Sequence, residues 1–160
     1  METKQQNILI RILAVLLISG GLLGISGVGL NVWSGYMDLK QNTLVLIELS
    51  ATVAVYAWTT LKGIDLWRRL LRGYNWAKIL FAAQIPVVAS PSVNYGFYTG
   101  LGLDLVIGDV NSHIRAHIGS GFTLYGDPAM THPFYGVNLV AIVALVYLTS
   151  KTRPNSESSR

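Results

Sequence analysis

The 160-residue sequence contains no cysteine, which excludes disulfide frameworks and thiolate metal chemistry and leaves the redox compartment unmarked. Charge is almost as scarce. Only 12% of the residues are Asp, Glu, Lys or Arg, where soluble domains carry about a quarter. Phosphate-binding loops, dinucleotide fingerprints, nucleophile elbows and metalloprotease helices are all missing, and the glycines between Gly96 and Gly108 lack the strand-to-helix setting that phosphate binding needs. No catalytic residue, cofactor or metal ligand set follows from these motifs.

What remains is apolar. With 51% hydrophobic residues and a mean hydropathy of +0.45, the composition is that of a membrane protein. About 20 apolar residues cross a hydrocarbon core of about 30 Å, and the pattern predicts four such helices, at about 8–32, 43–62, 76–93 and 133–150. The predicted fold class is an all-α, four-transmembrane-helix bundle with an extracytoplasmic β-hairpin between its third and fourth helices. Arg11, at the inner edge of the first span, serves as an anchor whose long stem returns the guanidinium to the headgroups. A basic start followed by an apolar run also fits a secretory signal peptide, with Ser26-Gly27 nearest to a cleavage site.

The connections fit the same plan. Residues 31–42 form a short outer loop with Trp33 and Tyr36 at headgroup level, and residues 63–75 form a basic cytoplasmic loop. Its Arg68, Arg69 and Arg72, set among Trp67, Tyr74 and Trp76, suit anionic lipid headgroups rather than nucleic acid. Residues 94–132 hold the hairpin and a turn-rich connector, and 151–160 read as a disordered cytoplasmic tail. Both termini inside places ten of the twelve Lys and Arg in the cytoplasm, which orients the chain in a bacterial inner membrane. In outline this plan resembles claudin-like proteins, but their tryptophan-containing signature and first-loop cysteine pair are missing and no family is assigned.

The hairpin is the most patterned stretch. Phe97, Leu101, Leu103, Leu105 and Ile107 alternate along one strand, and Ile114, Ala116, Ile118, Phe122 and Leu124 along the next, with Gly108-Asp-Val-Asn111 between them. A turn centred on Asp109 and Val110 pairs Leu105 with Ile114, Leu101 with Ile118 and Phe97 with Phe122. The same register sets Asp104 opposite Arg115 on the other face, and a one-residue slip destroys both matches. Gly100 falls opposite Gly119, and Gly102 opposite His117, leaving a thin face that another chain can approach. Since a lone hairpin is marginal in water, its apolar face is expected to rest on the helix ends.

The remaining candidates are polar or small. Gly20, Gly24 and Gly27 recur at i, i+4 and i+7 and form a helix-packing stripe. Glu48, Gln84 and Asn138 are polar positions within apolar runs, and Pro86 is read as a kink beside Gln84. His113 and His117 share a strand face about 13 Å apart, too far to chelate one ion, and His132 lies in the connector. The function expected is structural, accessory or protein-binding through the hairpin, as a homo-oligomer or with another membrane protein amid membrane lipids. The alternative is a small oligomeric transporter or channel whose polar path uses Glu48, Gln84 and Asn138.

Overall fold

A computed structural model describes residues 4–34, 43–108, 111–125 and 130–151. The chain order is α1 (Lys4–Trp33), α2 (Thr43–Trp67), α3 (Leu71–Ala83), β1 (Pro86–Ala89), β2 (Asn94–Gly108), β3 (Ser112–Tyr125), β4 (Phe134–Asn138) and α4 (Leu139–Lys151). This is a mixed α/β fold, not the expected all-α four-span bundle. Among the described residues only α1 contains a helix long and apolar enough to cross a membrane, over Asn7–Trp33. A signal sequence or a core helix meets the same criterion.

The expected span at 43–62 is helical within α2 but does not meet that criterion, and the two later spans fail for local reasons. The segment at 76–93 does not continue through a kink at Pro86, because proline lacks an N–H and drives the residue before it toward extended backbone. Helix α3 ends at Ala83 with Gln84 as its C-cap, and the chain continues as β1. The segment at 133–150 begins instead with the alternating strand β4. Helix α4 starts only after Asn138, whose side-chain oxygen accepts the Ala141 N–H at 3.2 Å and so supplies an N-cap. Each of α3 and α4 is 13 residues long, about 20 Å at 1.5 Å per residue, short of a hydrocarbon core.

The expected basic loop at 63–75 is mostly helix. α2 runs on to Trp67 and closes with Arg69 in the left-handed region (φ 56°), where Leu70 N donates to Asp65 O at 3.0 Å and Arg69 N to Leu66 O at 2.9 Å. These two bonds make a Schellman closure with arginine where glycine is usual. Most of the 31–42 connection, the Asp109-Val110 turn and nearly all of the 151–160 tail lie outside the described residues.

The sheet is organised by a bend. β2 pairs antiparallel with β3 along its whole length, with β1 through Asn94–Gly96 and with β4 through Asp104–Gly108, while β1 and β4 also pair antiparallel. Three mutually antiparallel pairings require β2 to reverse direction between its two ends. The reversal falls where Gly100 (φ +85°) faces Gly119 (φ +135°), a backbone conformation that side chains rarely tolerate. The cross-strand register is the one the alternation requires: Phe97 faces Phe122, Leu101 faces Ile118, Asp104 faces Arg115 and Leu105 faces Ile114.

The core lies where the helices meet the proximal half of the hairpin, the part before the bend. Ile10, Ala14 and Leu17 of α1 pack with Tyr56 and Leu66 of α2, Phe81 of α3, Leu148 of α4 and Phe97 of β2. The glycine stripe serves this internal packing. A Cβ on Gly20 would strike the backbone at Thr99 and Gly100, and one on Gly24 would strike the Tyr56 ring, whereas Gly27 faces open space. Gly21, outside the expected stripe, makes the close approach to Tyr56 and Thr60 of α2.

Candidate functional site: a polar chamber behind an apolar sheet face

The bend gives the folded hairpin an inner and an outer face with opposite chemistry. On the outer face the proximal residues are covered by helices. Phe97 is 4% exposed, with its ring 6.3 Å from Tyr56 and 6.2 Å from Phe122, and Ser120 Oγ donates to the Gly20 carbonyl. Gln84 Nε2 donates to Thr99 Oγ1 at 3.0 Å while Thr99 N donates to Gln84 Oε1 at 3.2 Å, and Tyr95 OH donates to the Ala83 carbonyl at 2.6 Å. The end of α3 is thereby stapled to β2.

Beyond the bend the outer face is bare. Ile107, Ile114 and Ile118 are 58%, 64% and 86% exposed, and Leu101 and Leu105 are also open. The hairpin does not rest its apolar face on the helix ends. It docks on the middle of α1 instead, since Gly20 is the central residue of the Asn7–Trp33 stretch.

The inner face is polar and partly enclosed, with Asp104 buried and His113 and Arg115 exposed. Asp104 is 1% exposed and its Oδ2 accepts from Arg115 Nη2 at 2.9 Å, while His117 Nδ1 lies 3.5 Å from the same oxygen. The expected cross-strand partners therefore form an ion pair, and it points inward. His117 approaches this carboxylate from β3 and is itself partly buried. Its ring covers Gly102 and lies 4.1 Å from that of Tyr98, tilted by 56°, and the Tyr98 ring in turn covers Gly121. Of the thin glycine face, Gly102 and Gly121 are covered by the chain's own rings and Gly100 is met by Leu16 of α1, while Gly119 faces open space.

These residues line a cavity of about 430 Å³ between the two halves of β2, closed by β1 and β4 and reaching Asn94, Phe134 and Asn138. That is within the range of small-ligand pockets, roughly 300–1,000 Å³. Asn94 Nδ2, Asp104 Oδ1 and His117 Nε2, on three of the lining residues, are closed off from solvent without a hydrogen-bond partner among the described residues, and His117 Nε2 is turned onto Gly102.

Within one chain Glu48, Gln84 and Asn138 are not brought together. Gln84 is committed to Thr99, Asn138 caps α4 and accepts weakly from Leu103 N at 3.5 Å, and Glu48 is exposed on α2. His113 parts from His117 and lines a separate small cavity with His132. At the far end of the helices Arg11 lies over Trp67 at 5.3 Å, and Asp65 binds Lys62 at 3.2 Å and Arg72 at 3.1 Å. Arg72 is thus an ion-pair partner, while Arg68 and Arg69 are exposed beside it. Burial opposes the Asp65 charge, but hydrogen bonds from Lys62 and Arg72 hold its pKa below the ordinary carboxylate value.

Asn94 and Tyr98 were not singled out by the sequence reading. The available signal was the pairing of glycines with rings across the strands, Gly102 with His117 and Gly121 with Tyr98, since a ring laid over a glycine belongs to a filled face. No family model, curated protein or solved structure matches this chain.

Proposed function

We propose that the chain is a membrane-anchored accessory protein that assembles through the distal half of its hairpin. The observation that carries this reading is the inverted polarity beyond the bend, with isoleucines and leucines bare on the outside and the Asp104 carboxylate buried on the inside, paired with a half-exposed Arg115. In water that arrangement exposes apolar surface and buries a carboxylate. Beside lipid each face meets its preferred surroundings. Two features support lipid: α1 has a mean hydropathy of 2.5 with only a third of its most apolar window buried, and the bare sheet face continues from the middle of α1.

The edge of the sheet supplies the assembly. β3 pairs with β2 alone, so its other edge has no strand neighbour among the described residues. Backbone groups unpaired beside hydrocarbon cost several kcal/mol each, and an antiparallel β3 from a second copy satisfies them with two-fold symmetry. The basic end of the helices, with Arg11, Lys62, Arg68, Arg69 and Arg72, would then face the cytoplasm of a bacterial inner membrane.

The test is the mass of the complex in detergent and in nanodiscs, for the wild type and for Ile118→Lys, whose side chain projects outward and leaves the core intact. A wild-type dimer that this substitution dissociates is the expected result. A monomer in both media overturns self-association through β3.

A further inference from the structure

Resting on the reading of α1 as a helix beside lipid, we infer that the groove between α1 and the end of α2 holds one acyl chain of an anionic phospholipid, with the lipid phosphate against Arg11.

Gly63 lets α2 close on the α1 backbone at Ala14 and Ile18, so Val15 on one helix and Ile64 and Trp67 on the other stand as walls beside the contact. Two apolar hollows of about 320 and 360 Å³ lie there, and they share Val15 and Trp67. The first is lined by Arg11 and Ile12, and the second continues past Ile18 to Leu22. Ser19, the polar residue of the second, donates its Oγ to Val15 O at 2.8 Å and so asks nothing of an occupant. From Arg11 to Leu22 the helix rises about 16 Å at 1.5 Å per residue, which matches one leaflet of a hydrocarbon core of about 30 Å. A single lipid chain of that leaflet therefore fills the groove from headgroup level to the midplane.

Charge selects the headgroup. Asp65 is the carboxylate at this corner, and Lys62 and Arg72 already bind it at 3.2 and 3.1 Å. Arg11 has no carboxylate partner among the described residues, and its guanidinium lies over the Trp67 ring at 5.3 Å, a contact that leaves N–H donors for a phosphate. Exposed Arg68, next to Trp67, adds a second positive charge. A zwitterionic headgroup would bring an ammonium against the same cations, so an anionic one is favoured.

The full chain is purified in a neutral detergent and mixed with phosphatidylglycerol or phosphatidylcholine, and native mass spectrometry counts the lipids retained. Expected is one tightly held phosphatidylglycerol per chain, with phosphatidylcholine held about fivefold more weakly. Arg11→Gln should weaken phosphatidylglycerol about fivefold, the effect of one basic residue beside an anionic surface. Val15→Trp, at a half-exposed site in the groove, should weaken both lipids, while Leu23→Trp, exposed on α1 outside the groove, should weaken neither. Equal retention of the two lipids, undiminished retention by either groove variant, or equal losses in Val15→Trp and Leu23→Trp overturns the inference. A dimer that Val15→Trp dissociates would assign the groove to a second α1 and overturn it too. Carbonate extraction of membranes from cells making the chain tests the underlying reading separately. A chain released by carbonate overturns both, whereas a chain that stays in the membrane and holds the two lipids equally overturns the lipid site alone.

Discussion

The two halves of the hairpin share the same strands and the same alternation, yet they live in opposite surroundings. Before the bend, Phe97 and Thr99 are 4% and 1% exposed under α1, α2 and the end of α3; after it, Ile114 and Ile118 on the same face stand open. Periodicity of two determines which side chains share a face and says nothing about what covers that face. The separation is made by Gly100 and Gly119, which turn the sheet away just where α1 has no side chain at Gly20.

The largest expected effect follows directly. Phe97→Ala should destabilise the protein by about 3–5 kcal/mol, the usual cost of deleting a buried ring, whereas Ile118→Ala should stay within about 0.5 kcal/mol, as exposed substitutions do. Denaturant unfolding in a micelle that keeps the chain monomeric measures both. Equal losses would mean that the outer face beyond the bend is packed within the single chain, and the contrast between the halves would collapse.

The docking of the bend on α1 is sharpened by two glycines on one helix. At Gly20 a side chain collides with β2 backbone, so Gly20→Leu should cost roughly 1–3 kcal/mol as overpacking and loosen the bend. At Gly27 a side chain meets nothing, and Gly27→Ala should gain about 0.5–1 kcal/mol from helix propensity alone. Hydrogen exchange on Thr99 and Ser120 would report the first change and remain unmoved by the second.

The distal half depends on its inner face instead. Arg115→Met should cost about 1–3 kcal/mol by leaving the buried Asp104 carboxylate unpaired, while Arg115→Met combined with Asp104→Leu should recover most of that loss. Additive losses in the double variant would show that the pair acts through packing rather than charge.

The register of the hairpin was legible because a single alignment matched every apolar pair and the Asp104–Arg115 pair together, and strand pairing is local in sequence. The coverage of its faces was not legible, since that depends on where β2 bends relative to α1. The spans at 76–93 and 133–150 were misread because hydropathy does not distinguish an apolar helix from an apolar helix joined to a strand. The deciding residues were Pro86, which stops α3, and Asn138, which starts α4. Hydropathy placed Gln84 and Asn138 inside spans. Each instead sits at an element end, where a side chain can satisfy backbone.

The smallest effect concerns the helix end farthest from the bend. Asp65 has a folded-state pKa below its ordinary value because Lys62 and Arg72 bind the carboxylate, so its contribution is present above an unfolded pKa of about 3.9 and is lost as pH falls through the lower folded value. Acidification below about pH 4 should therefore weaken the α2–α3 corner in the wild type, and Asp65→Asn should remove that part of the pH dependence. The corner holds α3, and α3 holds β2 through Gln84 and Tyr95, so exchange should rise first around Tyr95 to Thr99. Protection on the distal strands, which pair with β4 and each other, should change later. Simultaneous loss of protection in both halves would show that the hairpin melts as one unit and that the bend does not divide it energetically.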